Sequence, residues 1–336
     1  METVIDLHTV SKVYGNSIHA LRNASMQVGR GEVFGLLGAN GAGKSTLVKI
    51  LLTLVHPTHC KGEMLGRPIG HVNTLRRIGY LPEHVRFPDH LTAAELLDFT
   101  GRLCWVAAPA RQRRISELLA AVGMEKWKNE RISRFSKGMK QRAGIAQALI
   151  NDPDILFLDE PTDGVDPLGR KEIRELILAL KARGKTVFVN SHLLSELEMI
   201  CDRVAILAKG AVVRQGKLDE LTRSGERYDI RVEGNLLEVP AVVGLVHSLG
   251  GTLGATADQR QSTIAIPTRR PQVVQPVIDE LRRSGILIES IIPVRQTLED
   301  LFMDTVSGSG PTPPRNPEAL SSTPSTEAPT YLAERD

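Results

Sequence analysis

Four short runs in the first two thirds of the chain are apolar almost throughout: residues 33–37 (Val-Phe-Gly-Leu-Leu), 155–158 (Ile-Leu-Phe-Leu), 186–189 (Thr-Val-Phe-Val) and 204–207 (Val-Ala-Ile-Leu). A strand covered on one face alternates polar and apolar residues, whereas a parallel strand covered on both faces reads as a continuous apolar run. Runs of this kind set between helical patterns predict a parallel sheet of βα units across residues 1–220. Residues 91–150 read as mostly helical. Thr92-Ala93-Ala94-Glu95 is a capping-box sequence ahead of Leu96, Leu97 and Phe99.

The pattern changes near Arg214, Gln215 and Gly216. From about residue 228 to 303 it predicts strand, helix, strand, helix, strand, helix, most clearly a strand at 262–266, a helix at 272–284 and a strand at 286–292. The chain is thus expected to divide into an α/β domain at 1–220 with a helical subdomain at about 84–150, a small C-terminal α/β unit at 225–305, and a tail at 306–336. The tail is rich in Gly, Ser, Pro and Thr. It has too little apolar surface to offset its ordering entropy and is expected to be disordered. There is no internal repeat. No apolar run approaches the roughly 20 residues that cross a bilayer; the longest, 50–55, is broken by Thr53 and stopped by His56-Pro57. The first residues show no cationic stretch followed by an apolar core, so no signal peptide is read.

Composition narrows the class further. The 336 residues exceed one average domain, and 41% hydrophobic with 24% charged residues is ordinary for a globular protein. A net charge of +3 falls short of a nucleic-acid binder's basic footprint, so no nucleic-acid partner is expected. Cys60, Cys104 and Cys201 are few, odd in number and scattered, which fits reduced thiols better than a disulfide framework.

The chemistry-bearing residues come in order. Gly38, Ala39, Asn40, Gly41, Ala42, Gly43, Lys44, Ser45 and Thr46 fit G-x-x-x-x-G-K-[ST], directly after a predicted strand and before an apolar helix at 47–54. Glycines let backbone amides turn toward phosphate oxygens, and the helix start adds free N–H donors and partial positive charge. Lys44 is expected on the β- and γ-phosphates and the Ser45 hydroxyl on Mg²⁺. The strand at 155–158 runs into Asp159 and Glu160, two acids at the rim where open α/β sheets bind ligands. Asp159 is expected to hold Mg²⁺ and Glu160 to orient and deprotonate the attacking water, a role worth about 10²–10⁴ in rate. A second helix start, Ser136-Lys137-Gly138-Met139, precedes a helical stretch at 143–150. Taken alone it is an N-cap with a solvated basic face. The basic run Arg111-Gln112-Arg113-Arg114 could face a partner or anionic lipid, but is read first as a solvated helix face.

Taken together, residues 38–46, the 136–142 segment, the 155–160 strand end and His192 resemble the ATP-binding cassette (ABC) ATPases over roughly residues 3–216. The resemblance implies a P-loop NTPase core, ATP and Mg²⁺ as cofactors, and ATP hydrolysis. It makes Ser136, Lys137, Gly138 and Met139 the signature that closes on the γ-phosphate bound by an opposite subunit. The active unit is then a head-to-tail dimer, with itself or with a homologous chain. By the same resemblance Tyr14 stacks on adenine, His192 contacts the γ-phosphate and steadies the attacking water, and Asp166 lies in the loop through which subunits sense each other. Glu83 stands where the family usually has glutamine and is expected to meet Mg²⁺ or its water. The signature more often reads Ser-Gly-Gly-Gln.

Both variants, and the C-terminal Leu298-Glu299-Asp300-Leu301-Phe302, resemble a single-cassette exporter branch whose ATPase pairs with a separate integral membrane permease. That implies a cytoplasmic protein, peripheral on the inner face of the cell membrane, pulling on the permease through residues 84–135. The alternative is a soluble cassette ATPase acting on ribosomes or DNA. Such proteins usually carry two cassettes, coiled-coil inserts or zinc-binding inserts, and this sequence has none.

Overall fold

The computed structural model describes residues 2–15, 17–222, 227–236, 239–255, 261–295 and 297–307. Strands β1 (Thr3–Tyr14), β2 (Ile18–Gly29) and β3 (Val33–Leu37) lead into helix α1 (Lys44–Leu51). Next come β4 (His59–Met64), β5 (Arg67–Pro68), α2 (Val72–Leu75) and β6 (Ile78–Leu81). Helices α3 (Ala93–Leu103), α4 (Ala108–Ala121) and α5 (Lys137–Ala148) separate β6 from β7 (Ile155–Asp159). The chain continues through α6 (Pro167–Ala182), β8 (Thr186–Asn190), α7 (Leu194–Ile200), β9 (Arg203–Ala208), β10 (Ala211–Lys217) and α8 (Leu218–Thr222). It ends with β11 (Arg227–Glu233), α9 (Pro240–Ser248), β12 (Thr252–Ala255), β13 (Gln261–Ile266), α10 (Pro271–Arg283), β14 (Ile288–Val294) and α11 (Leu298–Ser307).

A six-stranded sheet in the order β10-β9-β3-β8-β7-β6 carries the site. Its strands are parallel except the edge strand β10. Every residue of β3, β7 and β8 is buried, which is why these strands read as unbroken apolar runs. One face packs on α1 and on an antiparallel sheet in the order β2-β1-β4-β5, through Ile5, Val10, Leu47, Phe34 and Phe157 among others. The other face packs on the helices, through Leu97, Ile145, Leu158, Ile177 and Val189. Phe34, Phe188 and Phe157 occupy paired positions on neighbouring strands. Their ring centroids are 5.5 Å and 5.0 Å apart.

Several expectations need adjustment. The antiparallel sheet, with two 12-residue strands, was not anticipated by the reading of residues 1–220 as βα units. Helix α1 starts at Lys44 rather than residue 47, because residues 44–46 form its first turn, and it gives way at Thr53, which has φ 59°. Helix α5 starts at Lys137, so Gly138 and Met139 lie inside its first turn. Arg111 is not on a solvated face: it is buried and donates to Asp98 Oδ1 at 2.6 Å and to the Val106 carbonyl at 2.7 Å. The capping box at α3 is present, with the Glu95 amide donating to Thr92 Oγ1 and the Thr92 amide to Glu95 Oε2.

In the C-terminal unit the strand order is β12-β13-β11-β14, fully antiparallel, with α9 and α10 as crossovers. This is the split βαββαβ arrangement of ferredoxin-like folds, with one strand, β12, more than the sequence pattern predicts. It has its own core, which includes Ile230, Val246, Ile264, Val277 and Leu281. Residues 306 and 307, assigned to the tail by composition, are the last of α11. The remainder of the disorder expectation, from 308 onward, lies outside the described residues.

Candidate nucleotide-binding site

The site begins where β3 turns into α1. Helix α1 has no side-chain cap; its N-cap is Gly43, at φ 108° and ψ 4°. The first intrahelical bond is Leu47 N–H to the Gly43 carbonyl at 2.9 Å, so the amides of residues 44–46 are left free at the helix start. Free donors and partial positive charge at a helix N-terminus favour an anion. The loop is walled closely enough to exclude side chains: a Cβ at Gly38 would stand 2.6 Å from the Leu207 carbonyl oxygen, and one at Gly43 2.4 Å from that of Ala20. Gly210 N–H donates to the Ala42 carbonyl at 3.0 Å and ties the loop to the β9–β10 turn. Lys44 is buried, and its Nζ donates to the Gly38 carbonyl at 2.6 Å. Burial pushes the Lys44 pKa down, opposed by the charges of Glu160, Asp159 and Glu83. Gly41, Asn40 and Ser45 are exposed, and Thr46 is half-buried.

The acidic pair sits at the end of β7, beside the end of β8, with Asp159 paired to Asn190. Asn190 Nδ2 donates to Asp159 Oδ1 at 2.5 Å. Burial pushes the Asp159 carboxyl above the usual carboxylate range; the Asn190 bond opposes this, while the neighbouring Glu83 and Glu160 add to it. Glu160 adopts φ 51°, a left-handed conformation that costs a non-glycine residue about 1–3 kcal/mol. Surrounding bonds hold it there. Its amide donates to the Asn190 carbonyl at 2.8 Å, and its carbonyl accepts from buried Gln141 Nε2 at 3.1 Å and from the Asp163 amide at 3.2 Å. In this conformation Glu160 Oε2 accepts from Ser191 Oγ at 3.2 Å and lies 2.8 Å from His192 Nδ1. A carboxylate held between a hydroxyl and an imidazole can orient a water and take its proton.

Glu83 is half-exposed, and its charge reaches Lys44, Asp159 and Tyr80, so it belongs to the same rim. Tyr14 ends β1, pairs with Ile18 across the hairpin, and carries Lys12 Nζ 4.8 Å above its ring. Ala20, two residues beyond Ile18, is the strand residue that abuts Gly43.

Ser136 caps α5, its Oγ accepting from the Met139 amide at 3.3 Å. Lys137 Nζ donates to Asp163 Oδ2 at 2.6 Å, and that bond holds the Asp163 carboxyl low. Among the described residues, no hydrogen bond or ion pair joins residues 136–139 to the phosphate loop of the same chain. Asp166 caps α6 by accepting from the Gly169 amide at 2.6 Å. Four residues of this network lie within the motifs read from the sequence but receive no role of their own there: Gln141, Asp163, Asn190 and Ser191. Only the last two carry a signal, as polar residues at the rim end of a buried strand.

The sequence profile of ABC transporters matches residues 21–163. An ABC transporter ATP-binding protein of Synechocystis sp. is 42% identical over 308 residues, 89% of this chain and 84% of that protein. The daunorubicin resistance ATP-binding protein of Streptomyces coeruleorubidus is 33% identical over 90% of this chain and 95% of its own length. A solved dimeric ATP-binding cassette in a post-hydrolysis state, bound to ADP and Pi, matches with a TM-score of 0.59 at 28% identity, over 64% of this chain and 98% of that one. Likeness over most of both chains, on top of the phosphate loop and its facing acids, makes this chain a member of the ABC transporter family: an ATP-binding, ATP-hydrolysing subunit with an α/β cassette core.

Proposed function

We propose that this chain hydrolyses Mg·ATP within a dimer of cassettes and thereby drives export through a separate integral membrane permease. The observation that carries the reading is Glu160 Oε2, held between Ser191 Oγ and His192 Nδ1 at the rim that also holds Lys44. In this reading the amides at the start of α1 and Lys44 Nζ bind the β- and γ-phosphates. Glu160 takes the proton of the attacking water, and His192 steadies that water against the γ-phosphate. Tyr14 stacks on adenine. Residues 1–220 form the cassette, and residues 225–305 the accessory unit.

The residues present suit magnesium. Asp159, Glu83 and Glu160 crowd one rim, and burial with mutual repulsion raises the Asp159 pKa, a situation that a cation relieves. Asn190 occupies Asp159 Oδ1, and the Ser45 hydroxyl is exposed one residue after Lys44. Ser45 Oγ and Asp159 would hold the ion, with Glu83 on it directly or through water. Magnesium is suited to one or two carboxylates plus substrate phosphates and water; when bound it supplies positive charge between the β- and γ-phosphate oxygens.

Ser136, Lys137, Gly138 and Met139 are read as closing on the γ-phosphate of a second subunit, identical or homologous, with Asp166 in the loop between them. The dimeric relative supports this arrangement. Among the described residues no helix is long and apolar enough to cross a membrane; the spanning partner and the position on the cytoplasmic face belong to the exporter reading itself. A relative named for Nod factor export, from Bradyrhizobium diazoefficiens and 39% identical over 237 residues, supports export.

Glu160→Gln tests the chemistry. It keeps ATP binding, accumulates the closed dimer and lowers phosphate release by about 10²–10⁴; release near the parent rate overturns the assignment. Fractionation of native cells tests the setting. A membrane pool with an integral partner supports the exporter, and a pool found only on ribosomes overturns it.

A further inference from the structure

Helix α11 follows the accessory sheet in the chain, yet it packs on the cassette. Leu298 and Leu301 are fully buried and join the core on the helical side of the parallel sheet, where α11 meets α7 and α8. The helix start is fixed by mutual capping: the Asp300 amide donates to Thr297 Oγ1 at 3.1 Å, and the Thr297 amide to Asp300 Oδ2 at 3.0 Å. The Thr297 hydroxyl, donating to Asp300 Oδ2 at 2.7 Å, and the Thr297 amide, with Arg227 of β11 adding its charge, hold the Asp300 carboxyl low. The helix therefore answers to the accessory sheet at its start and to the cassette along its apolar stripe.

One turn beyond Leu298 on that stripe stands Phe302, partly buried against the same core. It lines a cavity of about 200 Å³ whose other walls are residues 38–40 of the phosphate loop, Ser191 and His192 of the loop after β8, and Leu194 at the start of α7. The loop after β8 is anchored at Ser191, which is buried and donates to Glu160 Oε2, and is held less firmly at the next residue. Its local brace is Leu193 N–H to Ser191 Oγ at 3.1 Å, and the His192 side chain is half-exposed. A 2.8 Å contact to Glu160 survives displacements of only a few tenths of an ångström, so what bounds the cavity beside His192 matters.

We infer that Phe302 is a positioning residue for ATP hydrolysis: its ring backs the 191–194 segment, keeps His192 on Glu160, and links the accessory unit to the phosphate-sensing loops. The inference rests on the assignment of Glu160 and His192 to hydrolysis proposed above.

The test uses the full chain with Phe302→Ala and the volume-conserving Phe302→Leu. Amide hydrogen exchange of a peptide covering residues 190–195 is expected to quicken about tenfold in the alanine variant and to stay at the parent rate in the leucine variant. Steady-state hydrolysis is expected to show kcat down about tenfold with KM within about twofold, restored by leucine. In a His192→Ala background, Phe302→Ala is expected to cost nothing further, since it acts through the histidine. Unchanged exchange at 190–195, or an equal loss in the His192→Ala background, overturns the inference. Phe302→Val carries the same expectations at smaller size if the alanine variant does not fold. A parent chain without ATPase activity would defeat the hydrolysis assignment, while the exchange measurement would still decide whether Phe302 holds the loop.

Discussion

Gly41 and Gly43 both sit at positive φ, 80° and 108°, yet only one of them is walled in. A Cβ added at Gly41 meets nothing within 4 Å, whereas one at Gly43 lies 2.4 Å from the Ala20 carbonyl oxygen and 2.9 Å from Leu21 Cδ2. Gly41→Ala therefore bears the left-handed backbone penalty alone, about 1–2 kcal/mol. Gly43→Ala bears that and a collision with main chain of β2, which no rotamer relieves. The loop and the strand must part by roughly 1 Å to restore ordinary contact. Because Gly43 caps α1, the displacement passes to the amides of residues 44–46, and hydrogen bonds of ordinary length do not tolerate it. Titration calorimetry with a non-hydrolysable ATP analogue and magnesium is expected to show Gly41→Ala within about tenfold of the parent Kd. Gly43→Ala is expected to weaken binding more than about hundredfold, ~2.8 kcal/mol. Equal weakening by the two substitutions, or a Gly43→Ala variant that binds and melts like the parent, would refute the steric argument.

Other perturbations address the neighbouring parts. Asn190→Leu removes the donor that opposes burial at Asp159, so the proton is held more tightly and the acid limb of kcat/KM against pH moves to higher pH; superimposable profiles would dismiss that role. The same raised carboxyl favours the fold in full below the ordinary carboxylate range. Without metal, this part of stability is lost as pH rises through the shifted value, and in Asn190→Leu the loss falls at higher pH. Thr92→Ala deletes the capping box of α3 and is expected to lower stability by about 1 kcal/mol, read by denaturant unfolding, with nucleotide affinity intact. Glu83→Gln is expected to shift nucleotide affinity less than about tenfold (~1.4 kcal/mol); a larger loss would make the carboxylate a direct metal ligand.

What the sequence made legible follows from which forces act locally. The strands β3, β7, β8 and β9 were readable because burial on both faces demands apolar side chains through their middle positions. The cap at Thr92 was readable because its partners are three residues apart. Strand β12, Thr252–Ala255, was missed: it is a four-residue edge strand containing Gly254, too short to show alternation. The start of α5 was displaced because its first turn holds polar residues and Gly138, a poor helix former that the Ser136 cap and tertiary packing nevertheless accommodate. Within the site, the phosphate loop announces itself by spacing. Gln141 beneath Glu160 and Asn190 on Asp159 depend on contacts 19 and 31 residues apart in the chain, and Phe302 lines a cavity with the distant His192; no local pattern encodes these.

The phenylalanine stack beneath the parallel sheet has a consequence for how this protein can fail. Its three rings sit on the strands that end in the phosphate loop, the acids and the histidine, so those groups share one foundation rather than three. Loosening any ring tilts its neighbours, and the reacting groups lose alignment together. Motion during turnover is therefore expected in the loops and helices riding on the sheet rather than in the sheet itself.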